Sequence, residues 1–203
     1  QRKIKNNHVE TNLSLGNLIF SGIFIKFKNF NKAVYVFSKF FNKENIVHNV
    51  SDGENLFLCA IRKNSEILRN EEEIVSRPGI LIDELYLVKS KLTDQNLKIL
   101  SKLDLNNKKK KLEKLGKIPN INKSVREIIK KSNIIIYGPG TIHSSLLPSY
   151  LTKDLSNYIG KSNAIKILVS NIGKDKDMLF EDTDNIIKKT FYYLNLKNKL
   201  KIH

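Results

Sequence analysis

The stretch best suited to chemistry is residues 138–141, Gly-Pro-Gly-Thr, with Ser144 and Ser145 close behind. It follows the apolar run 133–137, whose three consecutive isoleucines predict a strand buried on both faces of a parallel sheet. The hydroxyl residues fall at the start of an expected helix, whose free N–H groups and dipole would point at the loop. A strand, a glycine turn and such a helix start can together hold a phosphate group.

The spacing fits neither of two common phosphate-binding patterns. No lysine follows the second glycine, as a P-loop requires, and His143 stands where G-x-G-x-x-G has its third glycine. From the residues alone, an ordinary turn whose glycines serve backbone geometry remains the simpler interpretation. His143 is expected to be a surface loop residue.

Composition limits the classes of protein to consider. With 203 residues and 40% apolar content, the chain can bury one core, so one domain is expected over 1–203. It contains neither an apolar run that could span a membrane nor a signal-peptide pattern, and Cys59 is its single cysteine. A cytoplasmic location is therefore expected. Because the sequence starts at Gln1, we also expect it to be part of a longer protein.

The net charge of +16 does not by itself indicate a nucleic-acid-binding protein. Only five of the 36 basic residues are arginine, the residue that base recognition favours, and the chain is rich in Lys, Asn and Ile throughout. The densest block, residues 108–111, is expected to be a solvated surface. No specific nucleic-acid partner is predicted.

The first half of the chain predicts helices followed by strands. Residues 1–13 are expected to be an extended lead-in, and a glycine turn at Gly16 precedes a helical hairpin. The second helix would start at Asn29 or Asn31. Its buried face would carry Val34, Phe37 and Phe41.

Residues 45–88 predict a β-rich segment. Three glutamates at 71–73 lie between its strands and are expected to form a solvated turn, although carboxylates in a row could also bind a divalent cation. The predicted strands cover 45–50, 56–61, 67–68 and 80–88.

The second half predicts an α/β fold with a parallel sheet. Residues 89–117 are interpreted as a Lys-rich insertion with a partial helix beginning at Thr93 or Asp94. From residue 122 onward, helix, strand, helix, strand and helix alternate, which is typical of parallel sheets. The predicted elements are helix 122–131 with Val125, Ile128 and Ile129 buried, strand 133–137, a helix ending at Gly160, strand 164–171, and a helix capped near Asp182 that carries Ile186, Ile187 and Phe191.

The order of these pieces resembles the CofD (2-phospho-L-lactate transferase) family and its YvcK-type relatives, the gluconeogenesis factors. The family's loop GPGSLYTSIIPNLL is similar to residues 138–151, its GHSFGNL segment to 15–18, and its VCN strand end to 169–171. The resemblance implies a three-layer Rossmann-like domain whose N-terminal glycine-loop half has no counterpart here. It also implies ligand- or phosphate-binding roles for Gly138, Pro139, Gly140, Thr141, Ser144, Ser145, Gly16, Asn17 and Asn171.

The resemblance leaves three functions open. The favoured one is a regulator of carbon metabolism or the cell envelope that binds a nucleotide sugar such as a UDP-sugar, NAD or a GDP-linked molecule. The second is a phospholactate transferase acting on a deazaflavin with Mg²⁺, although the family's Q-P-G-E-T stretch is replaced by residues 172–176. The third is an inactive scaffold. No catalytic residue is assigned, a homodimer is open, and the missing N-terminal part is expected to complete the site.

Overall fold

The computed structural model describes residues 14–41, 47–77, 79–169 and 182–195. The chain divides into two compact units, residues 1–49 and 50–203. None of the helices that the structure describes is both long and apolar enough to cross a membrane.

The first unit contains a helical hairpin of α1 (Leu15–Phe27) and α2 (Phe30–Phe41). Ser14 Oγ accepts the Asn17 N–H at 3.2 Å, and Asn29 Oδ1 accepts the Lys32 N–H at 2.9 Å, so each helix has a side-chain cap. The predicted hairpin is confirmed, with Asn29 as the cap of α2.

Two details of the hairpin differ from expectation. Gly16 does not form a turn, because it lies inside α1, where its Cα faces the ring of Phe37. Phe37 packs edge-on against Phe20 at 5.6 Å between ring centroids, whereas Phe41 at the end of α2 is exposed. The predicted buried face is therefore shorter than its apolar spacing indicates.

The second unit begins with an antiparallel sheet of order β2-β1-β3. Its strands are β1 (Phe57–Arg62), β2 (Ile67–Leu68) and β3 (Ile82–Val88), which confirms three of the predicted strands. The fourth, 45–50, is wrong for its described residues 47–50, which form no strand, while residues 45 and 46 lie outside the description.

Helices cover this sheet. The glutamates expected in a turn instead start α3 (Glu71–Ser76), where Asn70 caps the Glu73 N–H, so that prediction is wrong. The stretch 89–117 forms α4 (Asp94–Ser101), with a capping box at Thr93, and α5 (Leu105–Leu115). These two helices help to bury one face of the sheet in a cluster of Cys59, Ile61, Tyr86, Val88, Leu92, Leu100 and Leu112.

The lysine run lies within α5 and is not uniformly solvated. Lys108 is buried, and its Nζ donates to the Ser65 carbonyl at 2.8 Å. Lys109 Nζ lies 2.6 Å from an Asp83 carboxylate oxygen and 3.4 Å from one of Glu84. The solvated-surface prediction is thus wrong for these two lysines, because they attach α5 to the sheet.

The alternation predicted from residue 122 onward is confirmed, and with it the α/β fold class. The strands β4 and β5 pair in parallel, with Ile134 opposite Ile165 and Ile136 opposite Ile167. The elements are α6 (Lys123–Lys131), β4 (Ile134–Tyr137), a π-helical turn (Ile142–Leu146), α7 (Leu147–Tyr150), α8 (Leu155–Lys161), β5 (Ile165–Leu168) and α9 (Thr183–Asn195).

Only one face of the parallel pair is covered among the described residues. Ile135 and Tyr137 pack against α6 and α8, but Ile134 and Ile136 on the opposite face are exposed. The prediction that this strand is buried on both faces is therefore wrong. Its apolar sequence is typical of a central strand, whereas its described surroundings supply helices on one side only.

Smaller corrections concern helix ends and faces. Gly160 lies inside α8, which ends at Lys161 with Ser162 as its C-cap, so Gly160 is not the C-cap. Ile128 is exposed rather than buried as predicted, whereas Ile129 occupies the buried face of α6. On α9 Phe191 is exposed and Tyr193 is buried.

Candidate functional site

The glycine loop, residues 138–141, joins β4 to the π-helical turn. Thr141 stands at the N-cap position, where its carbonyl accepts the N–H groups of both Ser145 and Leu146 at 3.1 Å. Its side chain makes no capping hydrogen bond. π-Helical turns are rare and recur at functional sites, so this backbone is unusual for a plain strand-to-helix connection.

The two loop glycines differ in the free space around their Cα atoms. A Cβ added at Gly138 would meet nothing within 4 Å, so the backbone there is open to an approaching group. A Cβ at Gly140 would lie 3.4 Å from the side chain of Leu146. Neither glycine has a positive φ, unlike Gly53 and Gly79, so the loop does not need glycine for a left-handed turn.

The π-helical turn is held in place by a contact with α9. His143 is buried at 1% exposure, so its expected position on the surface is wrong. Its Nε2 lies 3.1 Å from Lys189 Nζ, which also donates to the Ile82 carbonyl at 2.8 Å. These contacts hold the helix that follows the loop against both α9 and β3.

The loop's other end is fixed by aromatic packing. The rings of Tyr137 at the end of β4 and Tyr150 at the end of α7 pack edge-on, with centroids 6.1 Å apart. Burial raises the pKa of the Tyr150 hydroxyl to about 12. The loop is therefore held between ordered elements on both sides.

A cavity of about 530 Å³ lies beside the π-helical turn. It combines a mostly apolar lining with two cationic side chains, Arg69 and Lys91. It reaches Ser144 and Pro148 in the continuous segment formed by the π-helical turn and α7, here called the loop helix. Such a mixture is typical of small-molecule sites. Its remaining lining residues are Leu56, Phe57, Leu58, Asn70, Glu71, Leu87 and Leu92.

The two cations of the cavity differ in their surroundings. Arg69 is held by Glu73 at 3.0 Å and by Asp94 at 3.0 Å, which fixes its guanidinium. Burial alone would raise the pKa of the Glu73 carboxyl, but hydrogen bonds from Arg69 and the charges of Arg69 and Arg77 outweigh it and hold that pKa below its usual value. The Lys91 ammonium stands 5.8 Å from the centroid of Phe57.

A second cavity, of about 680 Å³, lies between β3 and the chain after α5. Glu84, Glu113, Lys117 and Lys153 line it, so charges of both signs face the same space. None of the residues 138–149 lines it, so of these two cavities only the smaller one reaches the residues after the glycine loop.

The structure locates the predicted site residues in three places. Six of them lie in the glycine loop and the turn after it, and of these only Ser144 lines the cavity, while Ser145 is exposed. Gly16 and Asn17 lie in α1, in the first unit. Asn171 lies outside the described residues. The binding roles of all nine residues stay predictions.

Sequence reasoning missed Phe57, Arg69 and Lys91. These residues lie more than 45 positions before the loop and belong to a different sheet or its connections. No motif marks them, since an isolated arginine, lysine or phenylalanine is ordinary in any sequence. Only the packing of the antiparallel sheet beside the loop helix brings them to Ser144.

Among the described residues, no three His, Cys, Asp or Glu side chains come together as a ligand group for a metal ion. Cys59 is fully buried, and burial raises the pKa of its thiol to about 12, as for a structural cysteine.

Comparison with known proteins identifies the family. The sequence profile of 2-phospho-L-lactate transferase CofD matches residues 3–190. A Streptococcus pyogenes serotype M1 protein, described as a candidate gluconeogenesis factor, is 25% identical over 176 residues, covering 85% of this chain and 46% of that protein. A Clostridium acetobutylicum protein of the same description is 36% identical over 67 residues, covering 31% of this chain and 15% of that protein.

The fold has a counterpart among solved structures. A crystal structure of a Bacillus halodurans protein superposes with a TM-score of 0.70 at 19% identity, covering 97% of this chain and 54% of that chain. The chain thus spans about half the length of the relatives that it matches. Because the family profile extends over nearly all of its residues, the chain belongs to the CofD family, together with the candidate gluconeogenesis factors.

Proposed function

We propose that the chain is a regulatory protein of the gluconeogenesis-factor type that binds a nucleotide-linked ligand, either a nucleotide sugar or a dinucleotide. The observation that carries this proposal is the cavity in which the Ser144 position of the loop helix meets Arg69, Lys91 and Phe57. The chemistry of those side chains suits a ligand with an anionic phosphate part and a flat base.

Each part of such a ligand has a matching group in the cavity. Phosphate oxygens accept hydrogen bonds from hydroxyl and cationic donors, and Arg69 is already oriented by Glu73 and Asp94. The Phe57 ring offers a surface on which a base can stack. At about 530 Å³ the cavity lies within the size range of sites for such ligands.

The remaining wall of the site is assigned to the part of the family fold that the match does not cover. Only one of the six loop-region residues lines the cavity, and the open side of Gly138 faces no described atom within 4 Å of an added Cβ. A ligand held at both places would need contacts from further residues. We therefore expect the 203-residue chain alone to bind weakly, with a Kd in the millimolar range.

The transferase activity is the second candidate, because the matching profile is that of 2-phospho-L-lactate transferase. That chemistry would use Mg²⁺ to neutralise charge on the transferred phosphate. No group of three potential metal ligands comes together among the described residues, and no transfer step is assigned to them. The test is to mix the protein with a GDP-linked phospholactate, a deazaflavin and Mg²⁺. Formation of phospholactyl-deazaflavin would support the transferase function and contradict the proposal of a regulator.

The proposed site is tested by substitution of its hydroxyl. Ligand-observed NMR with UDP-glucose, NAD and GDP suits weak binding. Ser144→Ala should raise the Kd of whichever ligand binds by about 10-fold or more, because a hydrogen bond to a charged group contributes about 1.5–3 kcal/mol. Ser149→Ala is the matched control, since that hydroxyl donates to the Ser145 carbonyl at 3.1 Å within the same helix.

Two results would count against the regulator. One is the absence of binding for all three ligands at millimolar concentration. The other is an equal effect of the two serine substitutions, which would show that the hydroxyl near the cavity has no special contact with the ligand.

A further inference from the structure

A third cavity, of about 190 Å³, lies between α9 and the ends of β1 and β3. Lys63 directly follows β1 and Leu81 directly precedes β3, and the Lys63 N–H donates to the Leu81 carbonyl at 3.0 Å. The other lining residues are spaced at i, i+3, i+4 and i+7, so they share one face of α9. We call this space the lysine cavity, and its residues on α9 are Asn185, Lys188, Lys189 and Tyr192.

The charges that line the lysine cavity have one sign. Three of its six lining residues are lysines, and none of the six is an Asp or a Glu. Within the described ranges, the ammonium groups of Lys63 and Lys188 form no ion pair. Like charges that face the same space repel each other, and an anion bound between them would convert that repulsion into attraction.

The lysine run of α5 provides a contrast within the same molecule. The Nζ of Lys109 lies 2.6 Å from an Asp83 oxygen and 3.4 Å from a Glu84 oxygen, so its charge is balanced by the protein itself. The same two carboxylates act on Tyr192, where burial first and Glu84 next raise the pKa of the hydroxyl. Because both carboxylates are already paired with Lys109, the lysine cavity keeps an excess of positive charge.

The cavity also offers oriented hydrogen-bond donors. The protonated Tyr192 hydroxyl and the Asn185 side-chain amide can both donate. Lys189 is half-buried and held in place, since its Nζ donates to the Ile82 carbonyl at 2.8 Å and lies 3.1 Å from His143 Nε2. A side chain that is already ordered loses little conformational freedom when a ligand binds.

The size of the cavity limits what it can hold. At about 30 Å³ per water molecule, its volume corresponds to roughly six waters. Sites for drug-sized ligands and cofactors begin at about 300 Å³, so a nucleotide is too large. A phosphate group is small enough, and its oxygens accept hydrogen bonds from ammonium, amide and hydroxyl donors.

We propose that the lysine cavity is a binding site for a phosphate group, carried either by inorganic phosphate or by a small phosphomonoester. It is separate from the 530 Å³ cavity, since the two share no lining residue. Lys189 connects them, because it contacts His143, the neighbour of Ser144 in the π-helical turn. Phosphate bound at Lys189 therefore changes the surroundings of the His143 ring. This inference goes beyond the proposed function, because it adds a second site and requires no nucleotide.

The experiment is an NMR titration of the 203-residue chain with inorganic phosphate and, separately, with glycerol 2-phosphate. The ionic strength is kept constant at about 0.15 M with sodium chloride, so that general screening does not change. We expect saturable shifts of the backbone amides at positions 63, 185, 188, 189 and 192, with a Kd on the order of 1 mM. The His143 ring signals should shift with the same Kd. A lower Kd for inorganic phosphate indicates the free ion as the ligand, and a lower Kd for glycerol 2-phosphate indicates a phosphomonoester.

Substitution of the two exposed lysines tests which charges hold the anion. Lys63→Gln and Lys188→Gln should each raise the Kd by about 3–5-fold, and the double variant should raise it by at least about 10-fold. Lys98→Gln on α4 and Lys114→Gln on α5 are the matched controls, because they remove the same charge at exposed positions outside the cavity. Both controls should leave the Kd within about 1.5-fold of the unmodified value. All four variants should keep the melting temperature of the unmodified chain, since the replaced side chains are exposed.

Three results would overturn the proposal. The first is the absence of saturable shifts with either anion. The second is an equal rise of the Kd in the cavity variants and the control variants, which would indicate attraction to the net charge of the chain instead of a site. The third is saturable binding that leaves the His143 ring signals unchanged, which would place the anion away from Lys189. Because no nucleotide is added, each result is independent of whether the ligand proposal holds.

Discussion

The two sheets of the second unit differ in how far their apolar strands are buried. β1 and β5 are both short and rich in apolar residues, yet the stretch Cys59–Arg62 is buried while every residue of β5 is exposed. The difference lies in their neighbours. An apolar sequence therefore favours burial of a strand, and the packing of neighbouring elements decides whether the strand is buried.

The neighbours of β1 cover both of its faces. On one side Ala60 belongs to a cluster with Leu68, Leu147 and Tyr193, which brings the loop helix and α9 onto the sheet. On the other side Ile61 belongs to the cluster formed with α4 and α5. Among the described elements, helices pack on a single face of the parallel pair, so its stability depends on fewer buried contacts within that part of the chain.

The largest expected contrast is between equivalent truncations in the two sheets. Ile61→Ala should lower the free energy of unfolding by about 2–5 kcal/mol, because it leaves a cavity in a closed core. Ile136→Ala, at 62% exposure, should change it by about 0.5 kcal/mol or less. Urea denaturation followed by circular dichroism measures both. Equal losses would mean that Ile136 is covered within the chain itself.

A smaller effect is expected where α9 meets β3. Tyr193 is buried, and its hydroxyl oxygen accepts the Leu85 N–H at 2.7 Å. Tyr193→Phe would leave that buried N–H without its acceptor and should cost about 1–3 kcal/mol of unfolding free energy. The neighbouring Tyr192→Phe is the control and should cost less than about 0.5 kcal/mol, because Tyr192 is half exposed. Similar costs would contradict the role of this hydrogen bond.

The smallest expected effect is a difference in pH dependence between the two regions. The pKa of Glu73 is lowered in the folded chain, so its carboxylate stabilises the fold above the ordinary pKa of about 4.3, and this contribution disappears as pH falls through the lowered value. Glu73→Gln should cost about 0.5–1 kcal/mol at neutral pH and nothing at strongly acidic pH.

The control for this prediction lies on the parallel side. Glu127 on α6 has a pKa lowered by its hydrogen bond to Lys130, but the pair is exposed and screened by solvent. Glu127→Gln should therefore leave the unfolding free energy unchanged from neutral to acidic pH. Parallel pH profiles for the two variants would show that Glu73 is not distinguished by its buried contacts.

Much of the local structure follows from the sequence. Caps such as Thr93 and Asn122, and the alternation of helix and strand after residue 122, are encoded within a few residues, so they were predictable. The glycine loop was also located correctly between β4 and a helix, because Gly-Pro-Gly ends a strand whatever surrounds it. The family resemblance added the expected fold class.

Tertiary structure alone decided which groups meet. Arg69, Lys91 and Phe57 reach the Ser144 cavity because the antiparallel sheet packs beside the loop helix, and no local pattern encodes such distant contacts. His143 is buried, and its ring nitrogen meets Lys189 of α9, a contact between residues 46 positions apart that only the tertiary packing provides. The burial of the isoleucines in β4 was overestimated for the same reason: a side chain's hydrophobicity is local, whereas its exposure depends on what the rest of the molecule places against it.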